Sequence, residues 1–183
     1  VRWCYPRVRR WALVRTGDII PDAAVDRANG NLYLVWQDLR FANKADIAFS
    51  MSTDGGVSWS PTIKVNANSG NAQAFTASVH VASDGTVGIS FYDVRNDVLG
   101  DGQLTTDHWL IHCHANCGTP AGWTDENRVT TTSFDMRAAP GAGGFFVGDY
   151  VGLSSDGIDF ATLFVTSPGA APSADAFFSR IGP

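Results

Sequence analysis

The feature that most limits what this chain can fold into is an internal repeat. The stretch "NGNLYLVWQDLR", residues 29–40, aligns without gaps on "DGTVGISFYDVR", residues 84–95. In that alignment Gly30 meets Gly85, Trp36 meets Phe91, Asp38 meets Asp93 and Arg40 meets Arg95, at an offset of 55 residues. A fainter third copy, "DGIDFATLFVTS", starts at Asp156 and lacks the Asp-x-Arg ending. The segments that follow each copy also correspond: "DIAFSMS", "DHWLIHC" and "DAFFSRI". Such a period predicts an array of like supersecondary units.

The units read as strands. "NLYLVWQ", "FTASVHVA", "TVGISFY" and "HWLIHCH" are short and rich in β-branched and aromatic residues. Gly, Asn and Asp clusters separate them, and no helical period runs through them. In "NLYLVWQ", Leu32, Leu34 and Trp36 share one side while Tyr33, Val35 and Gln37 share the other, so both faces are largely apolar. Strands of that kind are covered on both sides. The expected fold class is all-β: a β-propeller of four-stranded antiparallel blades, with about three blades present. With 183 residues, 44% of them hydrophobic, the chain is long enough for one sizeable core. The net charge of -5 is spread over single Asp residues and leaves no basic stripe for nucleic acid. No apolar run reaches the roughly eighteen residues a helical membrane span needs.

Between the third and fourth strands of the first unit lies "SMSTDGGVSWSP", in which Ser52, Asp54, Gly56 and Trp59 spell Ser-x-Asp-x-Gly-x-x-Trp. Gly55 and Gly56 suit positive φ, Asp54 can accept bonds from turn amides, and Trp59 can cover the turn. The pattern resembles the Asp box, or BNR repeat, of the sialidase superfamily of β-propellers. "PDAAVDRANGNLYLVWQDLR" followed by "DIAFSMSTDGGVSWS" resembles a whole blade of that group, and "FFVGDYVGLSSDG" the first strand of a later blade in bacterial sialidase-like proteins. The resemblance covers about residues 20–183.

The resemblance implies an incomplete six-bladed propeller: a fragment whose open sheet faces are covered by remaining blades or a second copy. Residues 19–183 are then the partial propeller. The Arg-rich residues 1–18 read on their own composition as an atypical segment, truncated or misjoined, or alternatively as a basic interaction arm. A secreted or extracellular location is implied as well. The second unit replaces the motif with "HCHANCGTPAGW", which keeps Trp123. Cys113 and Cys117 are close enough in sequence for a local disulfide that could hold this turn, with Cys4 left over.

Meander topology places the loops between second and third strands, and the connections between units, on the face opposite the Asp box. These long loops carry Asp38, Arg40, Asp93 and Arg95, then Asp135, Arg137, Asp149 and Tyr150. The resemblance implies exo-sialidase chemistry: arginines gripping a sugar carboxylate, an Asp acid/base, and a Tyr nucleophile assisted by Glu. On that pattern Arg40, Arg95, Arg137 and Asp135 bind substrate, one of Asp38, Asp93 and Asp149 is the acid, and Tyr150 is the nucleophile. The only glutamate, Glu126, falls on an outer fourth strand, so the catalytic set is expected to be incomplete. The competing reading makes the Asp-x-Arg pairs salt-bridged staples. The protein is then a non-catalytic propeller binding glycans or proteins. His108, His112 and His114, near Cys113 and Cys117, raise the question of zinc. Cys113 has the wrong strand parity and the spacing fits no common finger, so no metal and no cofactor are expected. His80 reads as a core or edge histidine.

Overall fold

The computed structural model describes residues 2–3, 12–16, 20–41, 44–68, 72–169 and 172–182; Cys4, Arg7, Arg9 and Arg10 lie outside these. Three antiparallel sheets make up the body. The first is a meander of β3 (Asp22–Val25), β4 (Leu32–Asp38), β5 (Asp46–Ser52) and β6 (Ile63–Lys64). The second runs β7 (Ala74–Val81), β8 (Val87–Asp93), β9 (Thr105–Cys113) and β10 (Asp125–Arg128), with β11 (Phe134–Asp135) also on β9. The third holds β12 (Gly152–Asp156), β13 (Asp159–Thr166) and β14 (Asp175–Ile181). A short ladder joins β1 (Arg2–Trp3) to β2 (Ala12–Leu13). The helical elements among the described residues are two 3-10 turns, Pro120–Gly122 and Met136–Ala138.

The second sheet is sandwiched between the other two. All seven residues of β8 are buried for that reason. Alternate side chains of β8 feed two cores: Ile89 and Phe91 join Tyr33, Val35 and Phe49 of the first sheet, whereas Tyr92 joins Phe160 and Phe164 of the third. β4, expected from its two largely apolar sides to be covered on both, differs: Tyr33, Val35 and Gln37 are buried, whereas Leu32, Leu34 and Trp36 on its other face are only half-buried, because the second sheet packs on one side of it. Tyr92 also donates its hydroxyl to the Val165 carbonyl, 2.8 Å away. Gly88 leaves room for the Phe160 ring, since a Cβ there would sit 2.5 Å from it. The outer face of the third sheet is open: Leu163 and Phe178, cross-strand partners, are 54% and 68% exposed.

Sheet order sets the geometry of any site. The first strands β3 and β12 both pack against β7, so the three initial strands converge. Within each sheet the β3–β4, β7–β8 and β12–β13 turns lie at one end, and the Ser83 amide donates to the Gly157 carbonyl at 3.0 Å to tie two of them. The long loops lie at the other end.

Candidate functional site

At the long-loop end a cleft of about 360 Å³ opens between β3, β7 and β12. Asp22, Thr76, Ser78, His80, Asp149 and Tyr150 supply its polar lining. Tyr150 precedes β12 and is 74% exposed. Asp149 beside it is bonded by Arg15, Nη2 to Oδ2 at 3.0 Å. That arginine is held by stacking on Phe146, 4.4 Å from its centroid, and by the Ala142 carbonyl at 3.3 Å. The Arg15 amide donates to the Phe145 carbonyl and Val14 is buried in the core, so residues 14–16 dock on the segment leading to the cleft. Asp22 uses one oxygen for two bonds across the seam, from Ser78 Oγ at 2.6 Å and the Val79 amide at 2.9 Å. His80 has its pKa lowered, first by burial and then by Arg27, with Asp22 opposing.

The Asp-x-Arg pairs lie elsewhere on the long-loop face. Asp38 accepts from Trp36 Nε1 at 2.7 Å, the Arg40 amide at 2.8 Å and Arg40 Nε at 2.7 Å. Partial burial acts against its ionisation, yet the bonds from Arg40 and Trp36 outweigh it and lower the pKa. Asp93 is fully buried, and desolvation pushes its carboxyl up to about 6 although Arg95 opposes the shift. Arg95 Nε meets Asp93 Oδ2 at 2.5 Å, its guanidinium lies 3.8 Å from the Trp109 ring centroid, and its Nη1 reaches Glu126. Glu126 turns its other oxygen to the Ala67 amide of the first sheet's exit loop, 2.8 Å away. Asp135 caps the Met136–Ala138 turn through the Arg137 amide and accepts from the Leu104 amide at 2.8 Å. Arg137 is bonded to the Gly102 carbonyl. Arg40 and Arg95 are thus held by carboxylates of their own sheets and Arg137 by a loop carbonyl, while Asp149 and Tyr150 reach the cleft.

The opposite end carries the tight turns. Ser52 Oγ donates to Asp54 Oδ1 at 2.8 Å and accepts from the Gly56 amide at 2.9 Å. Asp54 accepts from the Ser58 hydroxyl and amide, and Trp59 Nε1 donates to the Gly56 carbonyl at 3.2 Å. In the second sheet the corresponding turn is closed by a disulfide between Cys113 and Cys117, with Trp123 Nε1 donating to the Cys117 carbonyl. His108 and His112 are buried against the third sheet, stacked on Phe164 and Phe160, whereas His114 sits with Thr86 and Asp125. Among the described residues no three His, Cys, Asp or Glu side chains group to hold a metal ion, and no helix is long and apolar enough to cross a membrane.

Sequence reasoning passed over Arg15, Asp22 and Thr76. A signal for two of them existed: Asp22 lies in the first strand of the first unit and Thr76 in the first strand of the second, the strands that converge on the cleft.

No family model matches the chain, and no curated protein matches it. Among solved structures it is similar to Hadza microbial sialidase Hz136, with a TM-score of 0.53 and 10% identity over 89% of this chain. The match takes in 32% of that sialidase, so the chain spans about a third of its length. At this identity the likeness is one of architecture, and the chain has a sialidase-like all-β fold.

Proposed function

We propose that the chain forms about three blades of a sialidase-like β-propeller and that the cleft between β3, β7 and β12 recognises a glycan. The carrying observation is the presentation of Tyr150, 74% exposed, beside the Asp149–Arg15 pair where the first strands converge. An aromatic ring with a few fixed polar groups in a concave site suits a sugar, which offers an apolar face and a hydroxylated rim. In this reading the Ser52–Trp59 turn is an Asp box that holds the far end of its blade, and Asp-x-Arg pairs brace the loops. Remaining blades of a longer parent cover the open sheet face, and residues 19–183 form the partial propeller, on which Val14 and Arg15 of the preceding segment dock. The Cys113–Cys117 bridge suits an extracellular or otherwise oxidising location.

A second reading, hydrolysis of terminal sialic acid or a related sugar, is favoured by the adjacency of Tyr150 and Asp149 at the cleft. There Tyr150 is the nucleophile and Asp149 the acid. The glutamate that would assist the phenol is lacking from this arrangement, because Glu126 is committed to Arg95 and Ala67. Glycan binding is therefore the reading this geometry supports best. Incubation with a fluorogenic sialoside separates the two. Binding without turnover is expected of the chain; turnover abolished by Tyr150→Phe would establish hydrolysis instead.

A further inference from the structure

The cleft wall formed by β7 contains a bulge. Phe75 pairs with Tyr92 and Ser78 with Ser90, so Thr76 and Ala77 together stand opposite the single residue Phe91. Thr76 has φ +50°, the left-handed conformation. Glycine is the usual occupant of that conformation in a bulge, and a β-branched residue there is strained. Thr76 lines the cleft, is only 4% exposed, and its hydroxyl has no hydrogen-bond partner. Two costs, strain and an unmade bond, thus fall on one residue of the proposed site. The bulge is also braced from across the seam, because the Asp22 carboxylate holds Ser78 and Val79 immediately after it.

We propose that Thr76 is a specificity-determining residue of the cleft, whose hydroxyl hydrogen-bonds a polar group of the bound glycan, and that Asp22 is the positioning residue that fixes the bulge. Strained residues persist where the surrounding structure over-determines them, and they cluster at ligand sites. Threonine's χ1 wells exchange hydroxyl and methyl, so a ligand in the cleft can draw the hydroxyl towards itself. A hydroxyl both donates and accepts, which matches sugar hydroxyl, carboxylate and amide groups. This inference rests on the cleft being a glycan site.

The test is calorimetric titration of the 183-residue chain with 3′-sialyllactose, with thermal unfolding of each variant alongside. Thr76→Val should lose about fivefold in affinity, the worth of one neutral hydrogen bond, whereas Thr76→Ser should stay within about twofold of the unsubstituted chain. Thr76→Gly should lose affinity while unfolding at a higher temperature, because glycine accepts this φ without strain. Equal affinity of the Val variant and the unsubstituted chain overturns the role of Thr76 and leaves the glycan site standing. Parallel loss in the Val and Ser variants, with lowered unfolding temperatures, assigns the residue to structure alone. No binding by the unsubstituted chain overturns both.

Discussion

Asp54 illustrates how much of a turn a few neighbouring residues can specify. Its carboxylate is held at about 2 by bonds from the Ser58 side chain, the Ser58 amide and the Ser52 hydroxyl, and Gly55 and Gly56 take φ of 73° and 90°. All of these partners lie within four positions of Asp54, which is why the turn was legible in the sequence. Ser52→Ala removes bonds to both Asp54 and Gly56 and should lower stability by about 1 kcal/mol, with faster hydrogen exchange at the Gly56 amide as the local readout. Unchanged exchange there would show that the side chain does not hold the turn. Arg95 shows the opposite limit. Its own Asp93 was readable two residues away, but Glu126 is 31 positions on and meets it only because β8 and β10 flank β9. Placing Glu126 on an outer strand was right; its bond to Arg95 could not be read from periodicity.

At the scale of elements, the contact between the second and third sheets makes two predictions. Gly88→Ala would place a Cβ 2.5 Å from the Phe160 ring, so overpacking should cost about 1–3 kcal/mol in urea unfolding; a neutral effect would mean that the sheets can slide apart freely. The same seam holds His108 between Tyr92 and Phe164, with its pKa lowered to about 3 by burial, and His112 against Phe160, lowered first by burial and then by His114. A histidine whose folded pKa is depressed favours the folded state above the unfolded value of about 6.5 and loses that contribution as pH falls towards the folded value. Asp93, raised to about 6, works in the opposite sense between about 6 and 3.8. Carboxylates with lowered pKa, such as Asp54, act only below about 4. Stability should therefore fall between pH 6.5 and 4, by up to about 1.4 kcal/mol per pH unit for each buried imidazole, and the paired change His108→Phe, His112→Phe should flatten that limb. An undiminished acid limb in the double variant would remove the histidines as its cause. The strand pattern announced these residues as facing one way; which sheet they face depends on packing at long range.

For the whole molecule, the repeat was the strongest message in the sequence: each of its three copies, from residues 29, 84 and 156, became the turn and second strand of a sheet, and the units packed side by side. The site was less readable. Tyr150 and Asp149 were singled out from the loops, but the cleft also draws on Asp22 and Thr76, brought together only by the meeting of the sheets, and on Arg15, which docks beside it from the segment before β3. The open face at Leu163 and Phe178 belongs to the same scale. The central proposal is that the meeting point of the first strands binds a sugar. The direct measurement is the heteronuclear NMR spectrum of the labelled chain during titration with 3′-sialyllactose, repeated for Tyr150→Ala. Saturable shifts confined to residues around Asp22, Thr76 and Tyr150, lost in the variant, are the predicted result. Shifts centred on the Ser52–Trp59 turn or the Cys113–Cys117 loop, or no saturable shift, would contradict it.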